Sequence, residues 1–305
     1  MQFAQQLTQQ IVNGITIGAF YALVALGYTM VYGVLKLINF AHGDLFMWGA
    51  YLGLTGVSAA LVLLGGTTPW VILPVVVLVM VTVALAGVLV ERVAYRPLRS
   101  AGRLAPVISA LGVAFILESL ARNVYGASWK TYPPGLTPSG GLILPGNVRV
   151  SVMQIVVLVV SFLLMAGLYL FVHRTRIGTA MRAVSIDHDI SRLMGIDVDR
   201  IIMIVFLIGP GLGGVAGMIV ALYYGSFDFT LGWVFGLKAF IAAILGGIGN
   251  IPGAMLGGMI LGIVETLGAG YISPQWKDVI AYAILILILI FRPTGLLGER
   301  VAEKL

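Results

Sequence analysis

Nine apolar stretches follow one another along the chain, separated by short polar breaks: residues 11–32, 41–63, 70–90, 104–124, 150–172, 201–224, 235–248, 251–270 and 279–291. Crossing a hydrocarbon core of ~30 Å takes about 20 mostly apolar residues. With no water to bond to, each segment must satisfy its own backbone groups, which selects helix for an open-ended span. The pattern predicts an all-α integral membrane protein of eight to nine transmembrane helices, in a single domain covering residues 1–305. The seventh and ninth stretches are short, which predicts tilted, broken or partly re-entrant helices over 235–270 and at the end of the chain.

The polar breaks carry an orientation. Arg92, Arg96, Arg99 and Arg103 fill one connection, and Arg174, Arg176, Arg182, Arg192 and Arg200 fill another two spans later. Lys36 and the tail residues Arg292, Arg300 and Lys304 fall on the same side, giving 13 of the 18 basic residues. Lys130, Arg149 and Lys277 fall on the other side, while Arg122 and Lys238 lie at or within spans. By the positive-inside rule the basic face is cytoplasmic. Three spans precede the first arginine-rich loop, so the N-terminus is expected outside and the C-terminus in the cytoplasm. The first 35 residues hold no Lys or Arg, so the first apolar run reads as a span rather than a cleavable signal.

The two halves echo each other. Gly14-x-x-x-Gly18 precedes an apolar helix and then Asn39-Phe40-Ala41-His42-Gly43; Gly213-x-x-x-Gly217 precedes an apolar helix and then Phe227-Asp228-Phe229. The predicted topology runs these units in opposite directions, as in the inverted repeats of many transporters.

Composition narrows the chemistry. Apolar residues make up 60% of the chain and charged residues only 10%, too few to cover a soluble surface. The absence of cysteine excludes disulfides, thiol catalysis and cysteine metal sites. The net charge of +6 sits in loops between spans rather than in a patch, which disfavours a nucleic-acid partner. The three histidines, His42, His173 and His188, are far apart, so no metal site is expected. No G-x-x-x-x-G-K-[ST], H-E-x-x-H or G-x-S-x-G motif occurs. The chain is expected not to be an enzyme and to hold no cofactor; driving energy must come from another subunit or from an ion gradient.

The richest segment is 173–200, between the fifth and sixth spans. Gly178 is expected to break the preceding span, Ser185 or Asp187 to cap a short helix ending near Met194, and Gly195 to terminate it in a left-handed conformation. Ile186, Ile190, Leu193 and Met194 recur at i, i+4, i+7 and i+8, which predicts one apolar face. Such a helix either fills a partner's groove or lies on lipid. At the opposite side, residues 125–149 hold Trp129, Tyr132 and four prolines and show no helical periodicity. That external loop reads equally as a rigid connector or as a docking surface.

An ordered set of motifs carries a family resemblance. It comprises Ala22-Leu23-Val24-Ala25-Leu26-Gly27, Ile38-Asn39-Phe40-Ala41-His42-Gly43-Asp44, Gly178-Thr179-Ala180-Met181-Arg182-Ala183-Val184, Leu193-Met194-Gly195-Ile196, Lys238-Ala239-Phe240, Leu245-Gly246-Gly247-Ile248-Gly249, Ile251-Pro252-Gly253-Ala254 and Arg292-Pro293-Thr294-Gly295-Leu296-Leu297-Gly298. The chain resembles, end to end, ABC permeases of the branched-chain amino-acid (LivH/LivM) family, closest to the LivH type. Ser191 departs from the alanine usual there. The resemblance implies a bacterial inner-membrane importer of leucine, isoleucine and valine. Its implied partners are two ATPase subunits that bind ATP and magnesium, a second, LivM-like permease and an external binding protein. The implied coupling helix holds Arg182, Ser185, Ile186, Asp187, Ile190, Leu193, Met194 and Gly195. A permease for urea, short amides or other amino acids, and a lone ion-coupled carrier, are the alternatives.

Two residue sets remain. Gly14/Gly18, Gly49/Gly53, Gly213/Gly217, Gly253/Gly257 and Gly258/Gly262 are small-xxx-small pairs that let helix backbones approach, within this chain or against a second permease. Ionisable and polar residues inside spans are costly and mark pathway or packing sites: Asn39, His42, Asp44, Glu118, Lys238 and Glu265. Glu118 and Arg122, at i and i+4, are expected to pair.

Overall fold

A computed structural model describes residues 2–65, 69–99, 101–102 and 104–298. Arg103, Arg300 and Lys304, counted above among the basic-face residues, lie outside them. Eleven helices follow one another: α1 (Gln2–Leu35), α2 (His42–Leu64), α3 (Ile72–Val90), α4 (Leu104–Tyr125), α5 (Val152–Arg174), α6 (Arg176–Ile186), α7 (His188–Leu193), α8 (Val198–Tyr224), α9 (Leu231–Gly246), α10 (Ile251–Tyr271) and α11 (Lys277–Phe291). A π-helical turn carries α3 on to Leu98, and a short 3-10 turn leads into α11. Eight of these are long and apolar enough to cross a membrane; α9, with 16 residues, is the shorter apolar helix. The nine apolar stretches thus become eight helices of spanning length and one short helix.

The interior is built on α1, α8 and α10, whose spans are 89%, 78% and 56% buried, whereas those of α5 and α11 are only 17% and 6% buried. α1 crosses α10 through paired glycines. A Cβ built on Gly14 would stand 2.6 Å from the Ile263 Cα, and one on Gly18 2.7 Å from the Met259 Cα. Facing them, Gly258 and Gly262 meet the backbone of α1 at Gly18 and Ala22. Backbones this close leave van der Waals contact as the force that holds the pair. These small-xxx-small pairs therefore work within the chain.

Packing repeats between the halves. α1 lies along α10 as α8 lies along α3; α2 rests on α8 as α9 rests on α1; α2 touches α4 as α9 touches α11. The correspondence extends to single bonds. Asn39 Oδ1 accepts from the Ala41 N–H at 3.1 Å just before α2, and Asp228 Oδ1 accepts from the Thr230 N–H at 3.1 Å just before α9. These are the same turn at the same offset, three residues ahead of each helix. α1–α4 and α8–α11 thus pack in corresponding ways.

Both sets contain a helix that starts inside the bundle. The His42 ring donates through Nε2 to the Val24 carbonyl at 3.1 Å, so α2 begins level with Val24. Val24 lies 11 residues before the end of α1, or ~16 Å along the helix axis. Residues 36–41 therefore turn back into the protein, and the Tyr95 hydroxyl fastens them there through Asn39 Oδ1 at 3.1 Å. α9 begins at the same depth, because its first turn meets that of α2. A Cβ on Gly232 would stand 2.7 Å from the Gly43 carbonyl oxygen, and Gly43 lies against Gly232 and Gly236.

The segment 125–149, which lacks helical periodicity, contains short strands. β1 (Lys130–Thr131) pairs with β4 (Ser226–Phe227), and β2 (Gly141–Leu144) forms a hairpin with β3 (Val148–Ser151). Tyr132 donates to the Ala50 carbonyl at 2.9 Å, and burial pushes its phenol well above the ordinary range, so it stays a donor. Gln9 and Arg149 exchange two bonds, 3.0 and 2.8 Å, tying the hairpin to the polar start of α1.

The Gly43–Gly232 contact leaves no room for a side chain, whereas a Cβ at Gly112 meets nothing within 4 Å. Gly232→Val should cost about 1–3 kcal/mol from overpacking and lower the unfolding temperature of the purified protein. Gly112→Val should leave it unchanged.

Candidate functional site

The segment 174–200 is two short helices rather than one. Thr175, extended at φ −100°, ends α5 and caps α6, its hydroxyl accepting from the Gly178 N–H at 3.0 Å. The break therefore falls at Thr175, not at Gly178, which sits in the first turn of α6 against the Phe171 and Val172 carbonyls. Asp187, at φ −156°, separates α6 from α7 and caps α7 by accepting from the Asp189 and Ile190 N–H groups at 2.9 and 3.0 Å. Ser185 caps nothing, since its hydroxyl bonds back to the Arg182 carbonyl at 2.7 Å. Gly195 takes the left-handed φ of +81° expected of it.

This pair of helices has a fixed underside and a bare top. Met181, Val184 and Ser191 are buried, and the His188 imidazole reaches the Val34 carbonyl at 3.1 Å. The small Ser191 side chain fits there because its hydroxyl bonds the Asp187 carbonyl at 2.7 Å. Above, Ile186, Ile190, Leu193 and Met194 are 86%, 55%, 87% and 78% exposed. The expected single helical face is thus corrected. Ile186 ends α6, on the far side of the Asp187 bend from the other three, so the exposed apolar surface is carried by both helices. Arg182 is turned inward and donates to the Val172 carbonyl, tying α6 to the end of α5.

Beside this surface an ion cluster joins α3 to α8. Arg99 pairs with the buried Glu91 and, at 2.7 Å, with Asp199, which also takes Arg96 at 3.0 Å. Glu91 and Asp199 escaped the sequence reading. Their signal was an acidic residue at either end of an arginine-rich stretch, but 100 residues separate Arg99 from Asp199. Lys36, Arg96 to Arg99, 174–200 and 292–298 gather at one end of the bundle, with Lys130, Arg149 and Lys277 at the other, as the loop charges predicted.

The intramembrane residues separate into four groups. Lys238 binds Glu265 at 2.8 Å and Asp278 at 2.9 Å, and the Tyr21 hydroxyl donates to Glu265 at 2.7 Å. This cluster ties α1, α9, α10 and α11, and Asp278 is its unforeseen member. Asn39 and His42 are fully buried and hold the break before α2; the His42 ring lies against Gly27 and Gly213 and edge-on to Tyr28 at 4.8 Å. Asp44 is 5% exposed, one carboxyl oxygen 3.0 Å from where a Gly232 Cβ would stand. It therefore sits in the first turns of α2 and α9 together, where two positive helix ends lower the cost of a buried carboxyl. Glu118 does not pair with Arg122: among the described residues no ion pair joins them, and the Arg122 guanidinium lies over the Phe229 ring at 6.0 Å.

Removing one member of a buried ion pair leaves a lone charge, at a cost of roughly 3–5 kcal/mol. Lys238→Met should therefore destabilise the protein severely, and adding Glu265→Leu should recover most of the loss, read as thermal stability and monodisperse yield in detergent.

Comparison with known proteins agrees with this architecture. The sequence model of the family described as branched-chain amino acid transport system / permease component matches residues 10–289. The chain is 43% identical to BraD, a high-affinity branched-chain amino acid transport system permease protein of Pseudomonas aeruginosa, over 97% of both chains. It is 42% identical to the permease protein LivH of Escherichia coli, again over 97% of both. A probable LivH of Methanocaldococcus jannaschii is 28% identical, covering 90% of this chain and 88% of its own. No solved structure matches. Because the family model and two close relatives span almost the whole chain, this protein belongs to the permease components of branched-chain amino acid transport systems.

Proposed function

We propose that this chain is the membrane conduit of an ATP-driven importer that brings leucine, isoleucine and valine into the cytoplasm. The observation that carries the reading is the bare apolar surface of α6 and α7 at the basic end of the bundle. Four aliphatic side chains held up on a packed underside are costly in water, each worth roughly 1.5–3 kcal/mol once fully buried. A groove on an ATPase subunit that covers them gains that energy and receives a rigid lever continuous with α5 and α8. The basic end is then cytoplasmic by the positive-inside rule, with both chain termini following from it as expected: N-terminus outside, C-terminus inside. A second, LivM-like permease completes the passage, and the hairpin and Tyr132-anchored loop at the far end offer an external binding protein a preformed surface. Substrate identity rests on the names of BraD and LivH and on the sequence resemblance; the apolar interior suits branched aliphatic cargo. Asp44 and Glu118, the two intramembrane carboxyls that form no ion pair among the described residues, are the chain's candidates for touching that cargo.

Leu193→Asp sets a carboxylate into the proposed groove, where an unpaired charge is poorly tolerated. The variant should insert and fold, yet lose the ATPase on co-purification or hydrolyse ATP without uptake. Wild-type ATPase recovery together with wild-type uptake would remove the coupling assignment. For orientation, a cysteine at Ser185 should react in intact cells only with membrane-permeant thiol reagents, and one at Ser139 with impermeant ones; the reverse pattern inverts the topology.

A further inference from the structure

The basic end of the bundle contains a cleft of about 730 Å³ between the ends of α1 and α5, α6, the α9–α10 turn and the residues after α11. Lys36, His173 and Arg182 line it from three different elements, joined by the hydroxyl-bearing Tyr32 and Tyr169. Among the described residues no aspartate or glutamate lines it. The bonds His173 and Arg182 make are to uncharged groups: the Tyr169 carbonyl at 2.9 Å for His173, and the Val172 carbonyl and the Thr179 hydroxyl for Arg182. The first turn of the 21-residue α10 also opens on the cleft at Asn250–Pro252, and a helix N-terminus favours an anion.

Its surroundings say where the anion comes from. Two of the walls belong to α5 and to the turn following α11, the two least buried helices of spanning length among the described residues. Leu163 and Leu170 of α5 and Ile290 and Phe291 of α11 face outward beside it, more than half exposed. An apolar flank with a basic, tyrosine-lined hollow at its end has the form of a headgroup site with room for acyl chains alongside. We propose that this cleft binds the phosphate of an anionic phospholipid headgroup, with Lys36, His173 and Arg182 around it. Because Arg182 belongs to α6, the lipid would brace the helix pair that carries the exposed apolar surface. The site does not depend on the identity of the cargo.

The test is lipid retention by the purified full-length chain, read by native mass spectrometry and by thermal stability. Phosphatidylglycerol should be retained and should stabilise the protein; the zwitterionic phosphatidylcholine should not. Lys36→Gln and Arg182→Gln should each reduce phosphatidylglycerol retention roughly fivefold per charge removed. Lys36→Arg should retain it, as should Arg149→Gln at the opposite end. Should Arg182→Gln fail to fold, Lys36→Gln and the exposed His173→Gln carry the test. Equal retention of phosphatidylcholine, undiminished retention in these variants, or full stabilisation by inorganic phosphate alone would each overturn the assignment to a lipid.

Discussion

Everything in this bundle is arranged around the place where two helices begin side by side inside it. The first turns of α2 and α9 touch backbone to backbone through Gly43 and Gly232, with the Asp44 carboxyl between them. Two helix N-termini brought together repel electrostatically and expose unbonded N–H groups in an apolar interior. The Asx turns at Asn39 and Asp228 each satisfy one such group, and a carboxyl at the junction offsets the positive ends. This contact requires both preceding segments to fold back into the protein. Half-helix starts that face one another at a repeat interface are where transporters commonly place their passage.

Two further groups of charges are neutralised by pairing. Lys238, Glu265 and Asp278 neutralise one another at the crossing of α9, α10 and α11, and Glu91, Arg99, Arg96 and Asp199 do so where α3 meets α8. Both clusters bind helices whose glycine contacts supply shape but little directional bonding. The α6–α7 surface and the 125–149 loop with its hairpin stand on anchored bases at opposite ends. α5 and α8 flank α6 and α7 in the chain and pack against them.

Much of this was legible beforehand, for identifiable reasons. Hydrophobic length located the eight helices of spanning length and α9 because the membrane forces a long uniform signal on the chain. Loop arginines grouped the right residues at one end because charge outside the hydrocarbon is read independently of packing. The helix cap at Asp187 and the turn at Gly195 are local events, decided by neighbours in sequence. What sequence spacing missed was long-range or conformational. Glu118 and Arg122 have helical spacing for a pair, but Phe229, from the distant second half, takes the arginine. Lys238 and Glu265 were both noticed, yet their union depends on how α9 crosses α10. The periodicity of Ile186, Ile190, Leu193 and Met194 implied one helix because heptad counting cannot see the single extended residue at 187. The prolines of 125–149 obscured strands whose partners lie near 226 and within the same loop.

The central claim is that this chain conducts its cargo only under the drive of ATPase subunits. Its most direct test is uptake of labelled leucine into vesicles reconstituted with this permease, its partner permease, the ATPase subunits and the external binding protein. The account predicts uptake that requires ATP inside the compartment where the ATPases sit, requires this chain, and persists when ion gradients are collapsed. Uptake by this chain alone, driven by a proton or sodium gradient without ATP, would contradict it.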